Sequence, residues 1–321
     1  MIGAGMKDIK FILRDEIERV VHLESLLEDQ KLAFEDVSEH RIHMTPVGHL
    51  DFEENQGECH IKSGFIEGDS YFCVKVATSF FKNPALGLQT GNGLMSVWSM
   101  NTGAIVSLIC DEGYLTDLRT GLAGIIATQH ADGRIPRSLG VFGTGQQAYL
   151  QLKLHKHFFG IHSATICGRS KESLERFKKK SQHLGVDIMT TRDPKDVLMN
   201  HNLIITTTAS KNPLFESTMV QPGTHITALG ADGGGKQELD PYLFGRAQRI
   251  YVDSIDQCSS FGDSSYALRL EVISKNQLSL LGETIKNPVS RQVDDITIAD
   301  LTGIASQDIR IATWFYHKVN A

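Results

Sequence analysis

The feature that most constrains this chain is a short apolar strand running directly into a glycine turn and a helix, Gly140-Val-Phe-Gly143-Thr144-Gly145-Gln146-Gln147-Ala148. Its spacing is G-x-G-x-x-A. Gly143 allows the tight turn, Gly145 lets the backbone approach a pyrophosphate, and Ala148 lets the helix predicted over 148–159 pack closely on its strand. The first N–H groups of that helix then point toward phosphate oxygens. Taken alone, the pattern fits either a dinucleotide site or an ordinary glycine-rich turn. Its context favours the first reading, because apolar runs recur at 164–167, 186–189, 203–207, 226–229 and 250–252 with helical stretches between them. This alternation predicts an α/β fold built on a Rossmann doubly wound parallel sheet.

That repeat occupies only part of the chain. At 321 residues the chain is longer than the roughly 250 to 300 residues over which a single core keeps growing, so two domains are expected. Residues 14–35 carry Ile17, Val20, Val21, Leu23, Leu26, Leu27 and Leu32 at mostly helical spacing, an opening helix or helix pair. From 59 to 109 the pattern shifts to short strands, 71–78 and 94–98 among them. Turn signals at Glu67-Gly68-Asp69, Lys82-Asn83-Pro84 and Asn101-Thr102-Gly103 separate them. An α+β domain thus comes first, and the helical segment 115–130 leads into the repeat. After Val252 the repeat fades, and the helix-like segment 304–319 is expected to return to the first domain. The expected division is 1–118 with 303–321, and 119–302.

Charge and cysteine usage narrow the function. The net charge of -6 argues against nonspecific nucleic-acid binding, and Lys178, Lys179 and Lys180 read as the solvated C-terminus of a helix. Five cysteines are spread widely without a C-x-x-C pair, which suggests neither a metal site nor a disulfide framework. Cys73, Cys110 and Cys167 fall in apolar strand patterns, as reduced core thiols do. No apolar run is long enough for a membrane span and residues 1–10 do not read as a signal peptide, so a cytoplasmic protein is expected. Ile2-Gly3-Ala4-Gly5 imitates a nucleotide turn, but no strand precedes it and Asp8 stands where a third small residue belongs.

Three charged residues interrupt otherwise apolar or structural patterns. Lys75 breaks the apolar strand Tyr71-Phe-Cys-Val-Lys75-Val-Ala-Thr78; it is either an edge-strand lysine reaching solvent or a lysine of tunable pKa facing an acid or imine. Arg119 falls in the first turn of a helix capped by Thr116 and led by Asp117. A cation there is unfavourable for the helix alone, and suits either a bidentate grip on a bound carboxylate or a pairing with Asp117 or another surface acid. Asp232, in Leu229-Gly-Ala-Asp232-Gly-Gly-Gly-Lys236, follows a predicted strand at the edge where doubly wound sheets bind ligands; a plain Gly-Asp-Gly turn is the alternative.

Together these segments resemble the ornithine cyclodeaminase/mu-crystallin family. The matching pieces are Val74-Lys75-Val76, Gly87-Leu-Gln-Thr90, Asn101-Thr102-Gly103, Leu115-Thr-Asp-Leu-Arg-Thr120, Gly143-Thr-Gly-Gln-Gln-Ala148, Thr206-Thr-Thr-Ala-Ser210, Gly230-Ala-Asp232 with Lys236-Gln-Glu-Leu239, and Asp300-Leu-Thr-Gly303. They occur in family order. The resemblance implies a discontinuous substrate and dimerisation domain beside the Rossmann domain, and a homodimer acting on a small imino or amino acid. It further implies that Lys75 and Arg119 contact the substrate carboxylate and that Asp232 is the acid/base. Thr302 and Gly303 would help close the site. Thr90, Gly143, Thr144, Gly145, Gln146, Gln147, Thr207, Thr208, Ala209 and Lys236 would lie along a nicotinamide cofactor.

Two departures bear on the reaction. Cyclodeaminases carry a glutamate near the substrate amine where this chain has Lys62, and a cation there repels the side-chain ammonium of ornithine. The family's Pro-Pro-Arg segment appears as Met44-Thr45-Pro46-Val47-Gly48-His49, which leaves one carboxylate contact unassigned. Both favour the reductase branch, in which an NAD(P)H hydride converts a 2-imino acid or cyclic ketimine to an L-amino acid. Lys62 with His60 would then suit a second carboxylate, as in iminosuccinate. An ornithine cyclodeaminase with bound NAD and a nonenzymatic ligand-binding protein are the alternatives. At the end of the second Rossmann strand, Gly168 supplies no acid for a ribose, whereas Arg169, Ser170 and Lys171 suit a 2′-phosphate. NADP(H) is therefore expected ahead of NAD(H), with a solvated basic turn as the alternative reading.

Overall fold

The computed structural model describes residues 9–132, 136–288 and 290–319; the early glycine pattern at Ile2 to Gly5 lies outside them. The chain separates into two compact units, Met1–Arg119 with Ile304–Ala321, and Thr120–Gly303.

In the first unit, β1 (Lys10–Leu13) leads into two helices, α1 (Arg14–Val20) and α2 (Leu23–Ser38). The amphipathic segment breaks at His22, whose Nδ1 accepts the N–H of Ser25 at 3.3 Å and so starts a new helix. There follow β2 (Ile42–Met44), β3 (Gly48–Phe52), β4 (Gly57–Ile66), β5 (Tyr71–Phe80), β6 (Gly91–Ser99) and β7 (Ile105–Cys110). They form one sheet in the order β1-β7-β6-β5-β4-β2, with β3 also on β4. Only the β1–β7 pairing is parallel.

Alternation along these strands gives the sheet two unlike faces. One packs under the last helix of the chain, α11 (Ala305–Val319), which also lies on α2. Met95 and Val97 fill that side. The other carries Ile61, Val76 and Leu94 in one cross-strand row, flanked by the stacked pairs Phe72–Trp98 and Phe52–Phe80. Ile61, Leu94, Phe52 and Leu50 are all exposed there.

The unit boundary falls inside α3 (Tyr114–Asp132). The second unit alternates strand and helix. It contains β8 (Ser138–Phe142), α4 (Gln146–Phe159), β9 (Ser163–Cys167), α5 (Lys171–Ser181), β10 (Asp187–Thr191), α6 (Pro194–Leu198), β11 (Leu203–Thr206) and β12 (His225–Ala228). Next come α7 (Pro241–Phe244), β13 (Arg249–Val252), α8 (Ile255–Phe261), α9 (Asp263–Arg269), β14 (Leu278–Leu280), α10 (Leu281–Lys286) and β15 (Thr297–Asp300). All eight strands are parallel, in the order β10-β9-β8-β11-β12-β15-β13-β14. This is the doubly wound Rossmann arrangement, and its strand order reverses between β8 and β11, where such sheets open a ligand crevice.

The parallel sheet does not end at Val252. β15 is inserted between β12 and β13, and every one of its residues is buried. The sequence pattern hides it because the strand has four residues, one of them Asp300, and follows Asp294-Asp295. No helix among the described residues is long and apolar enough to cross a membrane.

Phe315 on α11 is completely buried, whereas Met199 is 68% exposed. Phe315→Ala is expected to lose about 3 to 5 kcal/mol of stability in urea unfolding. Met199→Ala should stay within about 0.5 kcal/mol of the parent.

Candidate active site

In the first unit, β5 carries Lys75 at the centre of the sheet, directly opposite Lys62 on β4 and Met95 on β6. The edge-strand reading of Lys75 is thereby overturned: β5 has neighbours on both sides, and Lys75 is 2% exposed. Like charges facing across a strand pair repel, and both lysines are buried. Asp308, on the first turns of α11, supplies the opposite charge. Its Oδ1 lies 2.9 Å and its Oδ2 2.8 Å from Lys75 Nζ.

Arg119 joins the same carboxylate, its Nε donating to Asp308 Oδ1 at 3.2 Å. Asp308 is buried, so the pairing with Asp117 or a surface acid gives way to a buried one. The helix also begins earlier than its sequence suggests. Asp111 Oδ2 accepts the N–H of Leu115 at 2.7 Å, and α3 starts at Tyr114, which puts Thr116 inside the helix and Arg119 in its second turn. With Nε committed to Asp308, the Nη edge of the guanidinium is the fork that can meet a second carboxylate.

Electrostatics follow from this packing. Burial pulls the Lys75 ammonium down to about 7; Asp308 opposes that shift, while Arg119 and Lys62 add to it. Burial alone would raise Asp308, but Lys75, Arg119 and Lys62 outweigh it and hold the carboxyl below its usual range. His60 occupies the same face two residues from Lys62, and its ring lies 4.8 Å from that of His49 on β3. His49, in the segment that replaces Pro-Pro-Arg, therefore stands on the face that carries the two lysines.

In the second unit, the glycine turn sits at the carboxyl end of β8, beside the strand-order reversal. Gly143 has φ +124°, and a Cβ on it would meet Thr207 Oγ1 at 2.4 Å. Its N–H donates to Cys167 O, and the Thr207 N–H donates to Phe142 O, both at 2.9 Å. α4 starts at Gln146 with Gly145 as its N-cap, without a side chain capping its first N–H groups. A Cβ on Gly145 would meet nothing within 4 Å. A tight turn, uncapped helical N–H groups and open space before them are what a dinucleotide phosphate requires, so these residues fit the cofactor.

The flanking residues divide by what already holds them. Arg169 and Lys171 are exposed at the end of β9. Ser170 caps α5, accepting the Ser173 N–H at 3.2 Å. An acid does stand close by: Glu172, in the first turn of α5, is favoured as a carboxylate by backbone N–H and the Ser170 hydroxyl. Gln146 accepts from Lys180 at 2.7 Å, while Thr144 packs where a Cβ on Gly168 would fall. Gln147 is half-buried on the first turn of α4. Thr208 donates its N–H to Glu238, and Ala209 is exposed beside it.

Asp232, after β12, accepts Lys236 Nζ at 2.8 Å and remains partly exposed. Thr302 and Gly303 are held from within. Asp253 accepts the Thr302 hydroxyl at 3.1 Å and the Gly303 N–H at 2.6 Å. Thr90 belongs to the first unit, where its carbonyl accepts the Phe80 N–H at 2.8 Å. Among the described residues no group of His, Cys, Asp and Glu side chains could hold a metal.

The family profile described as ornithine cyclodeaminase/mu-crystallin matches residues 7–321. The chain belongs to that family. It is 30% identical to the alanine dehydrogenase of Archaeoglobus fulgidus, over 96% of this chain and 94% of the relative. An archaeal alanine dehydrogenase dimer with bound NAD superposes with TM-score 0.86 at 28% identity, covering 97% and 96% of the two chains. The Δ1-pyrroline-2-carboxylate reductase of Thermococcus litoralis, solved with NADH and L-proline, shares the fold with TM-score 0.88, at 22% identity and 97% coverage of each chain.

Within the family frame, the structure brings Lys62, Lys75 and Arg119 together in the first unit, and the glycine turn, Thr207 and Thr208 together in the second. Sequence reasoning passed over Asp308 and Glu238. Asp308 lies in a helix whose other buried residues are mostly apolar, and the signal available was an acid among Ile304, Ile309 and Ile311. Glu238 accepts from the Thr206 hydroxyl at 2.7 Å, the Thr208 N–H and the Gly230 N–H at 2.8 Å. It thereby braces the loops after β11 and β12.

Gly145→Ala should leave the melting temperature of the unliganded protein nearly unchanged but weaken NAD(P)H binding by about tenfold or more, since the methyl enters the space before the helix. Gly143→Ala should lower the melting temperature itself. Thermal scans with and without nucleotide separate the two.

Proposed function

We propose that this protein is an NAD(P)H-dependent reductase that converts a 2-imino acid or cyclic ketimine to an L-amino acid. The observation that carries the reading is the buried cationic cluster of Lys62, Lys75 and Arg119 around Asp308, an arrangement that suits a substrate carboxylate. Arg119 receives that carboxylate on its guanidinium fork, and Lys75 adds charge and a proton donor. When bound, the reduced nicotinamide supplies the hydride taken up by the imine carbon. Lys75 or Asp232 delivers the proton to nitrogen, so the C=N bond becomes CH–NH. Positioning by the two buried cations provides a large part of the rate.

Lys62 defines the substrate class. Buried beside Lys75, it disfavours the second ammonium of ornithine and favours a second carboxylate, with His60 at hand. The substrate we infer is an acidic imine such as iminosuccinate. NADP(H) is the cofactor inferred from Arg169 and Lys171, with Ser170 engaged in the helix cap. The open apolar face of the first unit's sheet, with Ile61, Val76 and Leu94, suits a second copy of the chain, and we read the protein as a homodimer. Five free cysteines, four of them buried, suit the reducing cytoplasm.

Oxidation of NADPH and NADH, followed with 2-oxo acids plus ammonia or methylamine and with preformed cyclic imines, tests the reaction. Efficient cyclisation of ornithine, or tight ligand binding without turnover, would sink it. Arg119→Lys should keep the fold and lose about 2 to 5 kcal/mol in kcat/KM, because an ammonium cannot reproduce the bidentate grip. Lys62→Met should impair a dicarboxylic imine far more than a monocarboxylic one; equal losses would remove Lys62 from substrate selection.

Cofactor choice is tested separately. The wild-type enzyme should prefer NADPH, and Arg169→Ala should raise the KM for NADPH while leaving that for NADH nearly constant. A preference for NADH, or no response in the variant, would show that the turn after β9 does not read a phosphate.

A further inference from the structure

Asp308 is placed to do more than neutralise. It touches the two side chains that Proposed function assigns to the substrate carboxylate, and it does so from a third element, α11. Oδ1 accepts from both Lys75 and Arg119. Its neighbour Gln307 reaches Arg119 as well, with Nε2 donating to the Arg119 carbonyl at 3.4 Å. Gln307 is in turn held by α2, its own carbonyl accepting from Gln30 Nε2 at 3.2 Å. Two consecutive residues of α11 thus bind Arg119 at its backbone and at its guanidinium.

The charge environment of Lys75 is set from every side. Lys62 faces it from β4, Arg119 from α3 and Asp308 from α11, while Asp111 and Cys73 lie near enough to interact with it. Burial, Lys62 and Arg119 all disfavour the ammonium form. Asp308 is the group most strongly opposing them.

We propose that Asp308 is a positioning residue for the reaction: it keeps Lys75 charged among two other cations and fixes the Arg119 guanidinium so that its free edge receives the carboxylate. The inference rests on the reductase reading for the identity of the carboxylate, but not for the charge state of Lys75. A substrate carboxylate would bind as a second counter-ion to a cluster already assembled, instead of having to gather three mutually repelling cations.

The decisive variants are Asp308→Asn and Asp308→Glu in the full-length protein. The protonation of Lys75 is read by competitive acetylation with acetic anhydride across pH, using peptide mass spectrometry, because only the neutral amine reacts. Removing an opposite charge at this distance should move the Lys75 midpoint down by about 1 to 3 pH units, and Asp308→Glu should restore most of it. Calorimetry with oxaloacetate, without ammonia or nucleotide, gives the second readout. Wild-type affinity should fall as pH rises through Lys75's own titration, and the fall should begin at lower pH in Asp308→Asn.

An unchanged Lys75 midpoint in Asp308→Asn would overturn the proposal. A shifted midpoint in a protein whose wild type binds no carboxylate would uphold the role of Asp308 in holding the charge while removing the substrate reading. If Asp308→Asn does not fold, Lys75→Met is added to it. Recovery of folding would show that Asp308 answers the Lys75 charge, and continued failure would show that it serves packing alone.

Discussion

The contact of Asp308 with Lys75 and Arg119 is the interaction on which the first unit's organisation depends. A sheet that places Lys62 opposite Lys75 in its middle, under a helix, has put two ammonium groups where water cannot solvate them. Uncompensated, each would cost several kcal/mol or lose its proton. Asp308 reverses that balance only because α11 packs on β4, β5 and β6, which brings a carboxylate within 3 Å of Lys75. A hydrophobic triplet of the same shape would be at least as stable. Lys62, Lys75 and Arg119 are nevertheless held as a buried cationic cluster around one carboxylate instead of an apolar core.

The second unit also buries acids, but holds them with backbone N–H groups. Asp253, Asp263, Asp300 and Glu238 lie near the carboxyl ends of its central strands and are all buried. Each accepts backbone N–H groups: Asp263 from Glu238 and Leu239, Asp300 from Asp263 and Ser264, Asp253 from Gly303, and Glu238 from Thr208 and Gly230. Burial pushes Glu238 up to about 7 and Asp300 to about 6, and it raises Asp263 well above the ordinary carboxylate range, with Asp300 and Glu238 adding to that shift. A carboxyl raised above its unfolded value contributes stability at low pH, and that contribution is lost as pH rises through the folded pKa. For Glu238 and Asp300 the loss falls between the ordinary carboxylate range and about 7. These acids act as braces for loops, accepting backbone N–H groups at the strand ends near the crevice.

Much of this was legible in the sequence, for reasons particular to each element. The glycine turn could be read because Gly143 requires a positive φ and Gly145 needs space before a helix, constraints that only residue identity can meet. Lys75 and Arg119 stood out because an amine in an apolar strand and a guanidinium near a helix start have no local justification. The alternatives to a functional reading could not be decided locally, since β5 is interior, Arg119 meets the buried Asp308, and strand order and helix start are set by tertiary packing. β15 escaped because a four-residue strand between loops has too short a period to register. Asp308 escaped for another reason: an acid on an amphipathic helix is ordinary, and only the arrival of Lys75 and Arg119 at the same point makes it exceptional.

The chain separations within the cluster carry a final consequence. Lys75 and Asp308 are 233 positions apart, and Arg119 and Asp308 are 189 apart. The intervening residues include the whole second unit, Thr120–Gly303. The first unit can therefore complete its ionic core only after the chain has passed through the second and returned as α11. Until then Lys62, Lys75 and Arg119 have no Asp308, and burying them is unfavourable. Long-range closure of this kind is slow because loop entropy must be overcome before the contact forms. It also makes the buried cluster depend on α11, which carries the carboxylate that organises it.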